Sequence, residues 1–509
     1  MNLFITKPIS PSAHVAAGKP AEGTDRGEAT LKRVLNARQL LLLGIGGVIG
    51  AGIFVLTGQA AANHAGPAIT LSFMLAGIAC ALAGLCYAEF ATMLPVSGSA
   101  YSYAYATLGE LIAWFVGWNL VLEYLFAAAT VAVGWSAYFN SLLHSVGDIV
   151  GVELGLPAAL ASAPLDVVNG RIVATGALIN LPAVAIVIAV AALCYRGISQ
   201  SVFFNSIIVA IKVGVILLFV VFSVQYVDPG NWQPYIPPAE GPGRFGWDGV
   251  VRGASIVFFA YLGFDAVSTA AQETKNPQRN VPIGILGSLA ICTLLYIVVA
   301  AVVTGLLPHL QLSTARPVAT ALEAYPSLSW LKTIVEVGAV AGLSSVMIVL
   351  LIAQPRIFYA MSQDGLIGPM FGRVHPRLHT PHVATLFVGA IACVLAGVLP
   401  IGVLGDLVAM GTLLAFTTVC VGVLVLRRTK PDLPRPFRVP MAPVICVLGA
   451  AICFWLFMRV FEDNRRWMIA WVIGGFLIYF GYGYRNSALR KVVAAESRPL
   501  RAKALPENP

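Results

Sequence analysis

Charge is what this chain has little of. Only 11% of its 509 residues are Asp, Glu, Lys or Arg, 58% are hydrophobic, and the mean hydropathy is +0.83. Soluble domains carry roughly 25% charged residues, so a water-facing globule of this size is excluded. The eight cysteines (80, 86, 194, 292, 393, 420, 446 and 453) form no CxxC and no paired loop positions, which excludes a disulfide scaffold and leaves small packing residues. His375, His379 and His382 lie close in sequence, but among prolines and without a thiolate or carboxylate set, so no metal is expected there. The chain has no GxxxxGK[ST] run, which argues against direct use of ATP, and no nucleophile–base constellation, which argues against an enzyme. Long loops for a ligand-binding domain and a repeated filter motif are also missing, which disfavours a receptor or a channel.

What is abundant is apolar sequence in runs of bilayer length. Twelve such segments fall near 39–62, 67–94, 108–142, 172–195, 202–224, 249–272, 282–306, 331–361, 382–400, 403–426, 441–460 and 467–484. A helix needs about 20 apolar residues to cross the hydrocarbon core, so these lengths predict helices, not barrel strands. If the N-terminal tail is placed inside and sides alternate, inner segments, counted with the adjoining span ends, hold 23 Lys and Arg and outer ones 8. That asymmetry puts both termini in the cytoplasm and explains the net charge of +9 without nucleic acid. Residues 1–38 hold six basic residues and no apolar core, so they read as a cytoplasmic tail and not as a cleaved signal.

Two segments are interrupted. Gly44-Ile-Gly46-Gly47-Val48-Ile-Gly50-Ala51-Gly52 places five glycines in nine residues of the first segment. Glycine costs about 1 kcal/mol against alanine inside a helix, so the run implies either a break in the backbone or close packing of small residues. The sixth segment reads Phe258-Phe259-Ala260-Tyr-Leu262-Gly263-Phe-Asp265, with aromatics, a glycine and an acid at its centre. It stands five segments after the first, the corresponding place if 1–5 and 6–10 are inverted repeats. Paired breaks of this kind point to a substrate site at mid-membrane, because irregular backbone is tolerated in a bilayer only where it lines a cavity. Two charges inside spans need the same explanation: Glu123 in segment 3 and Lys212, which has no charged neighbour between Gly197 and Val227. Glu89, Asp265, Glu336 and Asp406 lie nearer segment ends or breaks, where structural partners are expected.

Together these stretches resemble the amino acid–polyamine–organocation superfamily and, within it, bacterial members of the cationic amino acid transporter family. The motifs are Gly46–Gly58, Tyr87-Ala-Glu-Phe with Pro95–Tyr101, Gly117–Tyr124, Phe258–Ser268 with Lys275-Asn-Pro277, and Arg356–Gly365, spread over about residues 35–430. The resemblance implies an all-α integral membrane protein of the LeuT type: 5+5 inverted repeats plus two further helices, twelve in all. The divisions are a tail over 1–38, a transport core over 39–426 with repeats at about 39–224 and 249–426, two added helices over 427–484, and a tail over 485–509.

It also implies a plasma-membrane secondary carrier importing L-amino acids by alternating access, proton-coupled and without other cofactor. A sodium-independent exchanger or an arginine/lysine uniporter is the alternative. The partners are the amino acid and membrane lipid; a small membrane subunit would leave no mark in the chain. The substrate carboxylate is expected at the N–H groups of Gly50, Ala51 and Gly52, at the positive end of the second half-helix. The ammonium is expected at carbonyls of Val48, Phe259, Ala260 and Leu262. Many family members place Ser or Thr at the position of Ala51, so a side-chain hydroxyl is missing from this site. Phe259 matches the aromatic that closes over substrate. Glu123 matches an acid beside the pocket, suited to a cationic side chain or a proton. Leu350 stands where animal cation-selective members carry a small residue, which favours neutral substrates such as alanine. By analogy with sodium carriers of this fold, Lys212 takes the place of a sodium ion between helices 1, 5 and 8. There it binds carbonyls of Leu43–Gly47 when protonated and releases them when neutral.

Overall fold

The computed structural model describes residues 3–8, 35–94, 99–168, 171–197, 202–270, 274–378 and 380–494. Most of the N-terminal tail, the Pro95–Gly98 stretch, Glu273 and His379 lie outside the described residues. The rest is helix on helix, because a chain in lipid must satisfy its backbone within each segment. The one sheet among the described residues is a hairpin of β1 (Leu165–Val168) and β2 (Arg171–Ala174), antiparallel with Leu165 opposite Ala174.

The helices that build the bundle are α1 (Ala37–Val48), α2 (Ile69–Met93), α3 (Glu110–Val121), α4 (Ala127–Val150), α5 (Leu181–Arg196), α6 (Val202–Ser223) and α7 (Gly246–Val257). They continue with α8 (Asp265–Thr269), α9 (Pro277–Leu306), α10 (Ser329–Gln363), α11 (His382–Val398), α12 (Ile401–Thr429) and α13 (Ala442–Ile478). Seven helical stretches among the described residues are long and apolar enough to cross a membrane, while α5 and α11 are shorter apolar helices. The all-α membrane architecture is therefore what the sequence implies.

The boundaries have local causes. The fourth segment begins at Leu181 instead of 172, because Arg171–Ala174 pairs as β2 and Asn180 caps α5, its Oδ1 accepting from the Ala183 N–H at 3.3 Å. The eleventh and twelfth segments remain two helical halves of α13, divided by a kink at the non-helical Asn464 as the two apolar runs imply. There the Asn464 Nδ2 donates to Asp406 Oδ2 at 2.7 Å, tying the kink to α12. The start of α1 is marked by a reciprocal cap: Asn36 accepts from the Gln39 N–H at 3.0 Å, and the Gln39 side chain accepts from the Asn36 N–H at 2.9 Å.

Both interrupted segments are broken, and the breaks face each other. Helix α1 stops at Val48, Ile49 is extended (ψ 102°), and a π-helical turn resumes at Gly52–Leu56. After α7, a 3-10 turn at Phe258–Tyr261 leads through Leu262 (ψ 136°) and Gly263 (φ +110°) into α8. A Cβ on Gly52 would lie 2.2 Å from that of Ala260, and one on Gly263 would lie 2.6 Å from the Gly47 carbonyl carbon. The two meanings of the glycine run thus coexist: the backbone is open at Ile49, and Gly47 and Gly52 have no side chain because the other broken segment occupies that space.

Candidate substrate and coupling site

The end of α1 leaves carbonyls that no helical N–H can reach, as every helix C-terminus does. Side chains from two other helices take them. Lys212, on α6 and fully buried, donates from Nζ to the carbonyls of Gly46 and Ile49, both at 3.0 Å. Its stem lies against α10, where a Cβ on Gly342 would be 3.2 Å from the lysine Cε. Lys212 makes no ion pair with a carboxylate among the described residues, so its charge rests on backbone dipoles at the negative end of α1. Of the carbonyls it holds, Gly46 lies in the stretch Leu43–Gly47 and Ile49 beyond it.

Tyr296 of α9 is the second cap. Its hydroxyl lies 2.7 Å from the Val48 carbonyl and 2.8 Å from that of Ala260. A hydroxyl has a single proton, so these two acceptors share one donor. Val48 and Ala260 are two of the carbonyls named for the substrate ammonium, and Tyr296 joins the two broken segments through them. A third, Phe259, accepts from the Leu262 N–H at 3.0 Å across the turn. Gly50, Ala51 and Gly52 stand at the start of the resumed helix, where first-turn N–H groups lack intrahelical acceptors. All of them, with Val48, Phe259, Ala260 and Leu262, are buried. Gly50 faces α10 through Val346, one methyl of which would lie 3.1 Å from a Cβ on the glycine, and Leu350 lies one turn further along that helix, also buried.

Glu123 sits two residues past the end of α3, in the π-helical turn Leu122–Phe126 that continues it. It is fully buried, and neither carboxylate oxygen has a hydrogen-bond partner among the described residues. Its electrostatic neighbour is Asp265, at the start of α8 after the second break. Asp265 accepts a hydrogen bond from Tyr124, the residue beside Glu123. The other acids are tied to structural partners. Glu89 accepts from Arg427 Nε at 3.0 Å and from the Val439 N–H at 2.8 Å, Glu336 accepts from Ser141, and Asp406 accepts from Arg252 Nη2 at 2.9 Å.

The structure therefore brings Val48, Gly50, Ala51, Gly52 and Lys212 together with Phe259, Ala260 and Leu262 at the facing breaks. Leu350 stands a turn away from the contact with Gly50, and Glu123 lies towards Asp265. Sequence reasoning passed over Tyr296. The available signal was a tyrosine inside the apolar run Ile291–Val299, since a buried phenol must find a hydrogen-bond partner.

The sequence model of the family described as amino acid permease matches residues 35–478. The chain is 46% identical over 462 residues to the methylthioribose transporter of Bacillus subtilis (strain 168), covering 91% of this chain and 96% of that protein. It is 45% identical over 466 residues to the branched-chain amino acid permease BcaP of the same organism, with the same two shares of 91% and 96%. To the vacuolar cationic amino acid transporter 4 of Arabidopsis thaliana it is 37% identical over 406 residues, covering 80% of this chain and 65% of that one. With the match running through both breaks and the helices that cap them, the chain belongs to the amino acid permease family, within the amino acid–polyamine–organocation superfamily.

Proposed function

We propose that this amino acid permease is a plasma-membrane carrier that takes up neutral L-amino acids by alternating access, driven by protons through Lys212. The single observation behind the coupling is the ammonium on the Gly46 and Ile49 carbonyls. A protonated lysine there holds α1 in place, and a neutral one has lost the charge that bound it, so α1 is free to tilt. The place lies between α1, α6 and α10, the helices 1, 5 and 8 of a LeuT-type bundle with twelve crossings and 5+5 inverted repeats. A sodium-dependent carrier of that type holds its ion there, and a fixed cation makes sodium unnecessary. Both termini then lie in the cytoplasm, on the side where basic residues are concentrated. The carrier makes and breaks no covalent bond.

Neutral cargo is supported by Leu350, a buried aliphatic side chain on α10 one turn beyond Val346, which faces Gly50. It is supported also by the names of two relatives near 45% identity, whose named cargoes, branched-chain amino acids and methylthioribose, carry no cationic side chain. Glu123 favours a second reading, cationic amino acid uniport or sodium-independent exchange, because its buried carboxylate has no hydrogen-bond partner among the described residues. Reconstitution in proteoliposomes separates the two. Labelled alanine should accumulate under an inward proton gradient in the absence of sodium, with weak competition by arginine. Strict sodium dependence, or flux that only runs downhill whatever the pH gradient, would reject the proton-coupled reading.

A further inference from the structure

Helices α5 and α11 line an open cleft of about 540 Å³ that shares no lining residue with the facing breaks. Small residues make it. A Cβ on Gly389 would lie 2.9 Å from that of Ala191, so the Ala191 methyl rests against the Gly389 backbone at the floor. Ile188 and Leu386 stand as walls, each more than half exposed. The walls are apolar, and the cleft ends at Tyr195 and Arg196, in the last turn of α5.

That end is cationic. Thr380 donates from Oγ1 to the Tyr195 carbonyl at 3.0 Å, and a Cβ on Gly197 would lie 3.0 Å from the Leu378 carbonyl oxygen. The loop carrying exposed Arg373 and Arg377 is thereby fastened beside exposed Arg196. The rings of His375 and His382 meet Tyr195 edge-on at 6.1 and 6.4 Å. The sequence has no Asp or Glu from 167 to 227 or from 365 to 405, so the elements forming this end bring no acid to neutralise it. The nearest acid in sequence, Asp364, is already bound by Lys7 and Tyr101.

The two helices are also short. At 1.5 Å per residue, the 16 residues of α5 and 17 of α11 span about 24 and 26 Å, less than the roughly 30 Å of a hydrocarbon core. A short pair of helices draws lipid headgroups inwards, towards the basic residues at its end.

We propose that this cleft binds one anionic phospholipid, an acyl chain lying between α5 and α11 and the phosphate held by Arg196 and Arg377. Charge complementarity selects the occupant: the apolar trough accepts any acyl chain, and the arginine end prefers a headgroup with net negative charge. A zwitterionic lipid brings a cation to a place that already holds several.

The test uses the purified full-length chain in detergent, incubated with phosphatidylglycerol or with phosphatidylcholine of identical acyl chains, and native mass spectrometry of what stays bound. One phosphatidylglycerol should be retained in preference to phosphatidylcholine. Removing the guanidinium in Arg196→Gln and in Arg377→Gln should each weaken retention about fivefold, the factor expected for one basic residue near a lipid phosphate. Arg428→Gln, at an exposed basic position elsewhere, should leave retention unchanged. Ala390→Trp, an exposed position in the cleft, should lower retention of both lipids by filling it. Equal retention of the two lipids, or full retention when Arg196→Gln and Arg377→Gln are combined, overturns the proposal. So does a second copy or another protein helix that occupies the cleft, seen as a complex lost in Ala390→Trp and indifferent to lipid. None of these readouts depends on transport, so failure here leaves the carrier reading untouched.

Discussion

Replacing Lys212 with alanine tests the coupling most directly, and the structure sets the size of the effect. The side chain makes two charge-assisted hydrogen bonds to carbonyls at the end of α1. Each is worth about 1.5 to 3 kcal/mol when a charged partner is involved, and the carbonyls left behind are buried. The arrangement with α1 held in place should therefore lose at least ~3 kcal/mol relative to one in which α1 has moved away and its carbonyls meet water. A change of that size shifts a two-state equilibrium by more than about a hundredfold. Lys212→Ala should stop accumulation of labelled alanine under a proton gradient, because protonation no longer favours either arrangement. Substrate binding, followed by thermal shift, should survive, since Tyr296 still joins Val48 to Ala260. Lys212→Met retains most of the volume without the donor and should behave like the alanine variant, separating charge from packing. An alanine or methionine variant that still concentrates substrate in response to pH would refute this reasoning and remove Lys212 from the mechanism.

Three further outcomes follow from single positions. Glu123→Gln retains shape and removes a buried carboxylate without a hydrogen-bond partner among the described residues, and it should change the pH profile of uptake and weaken competition by cationic amino acids; wild-type behaviour in both assays would reject the role. Leu350→Ser should strengthen arginine competition by about tenfold, roughly 1.4 kcal/mol, by giving a guanidinium space and a polar neighbour; unchanged competition would sink the neutral-pocket argument. Gly52→Ala drives a methyl to 2.2 Å from the Ala260 Cβ and should abolish uptake while the protein still inserts in the membrane, with partial recovery in the Gly52→Ala, Ala260→Gly double variant; overpacking of this kind costs typically about 1 to 3 kcal/mol, so an active single variant would show that the breaks separate readily.

Tight contacts elsewhere explain why the bundle tolerates so many polar groups. Arg252 of α7 is buried yet pairs with Asp406 of α12 at 2.9 Å and with Asp463 beside the α13 kink at 2.8 Å. Breaking such a pair by removing one partner leaves an uncompensated buried charge, which costs far more than the pair contributes. The acids near helix ends therefore serve as fastenings between helices, whereas Glu123 and Lys212 lie beside the broken segments.

What the sequence determined by itself is whatever the bilayer imposes locally. Hydrocarbon thickness requires long apolar runs, so the spans were legible from Ala37 to α13. Glycine's helix cost made the break near Ile49 legible, and a lone lysine in an apolar helix announced Lys212, because a charge in lipid demands a partner. Only the tertiary structure decided who the partners are. That Gly47 meets Gly263, that Gly52 meets Ala260, and that the Tyr296 hydroxyl spans Val48 and Ala260 are pairings between residues about 36 to 250 positions apart, with no local pattern to reveal them. The late start of α5 and the fastening of the α13 kink were hidden for the same reason. Hydrophobicity sees only the solvent a residue prefers, while strand pairing at Arg171–Ala174 and the hydrogen bond from Asn464 to Asp406 depend on which neighbour the fold supplies.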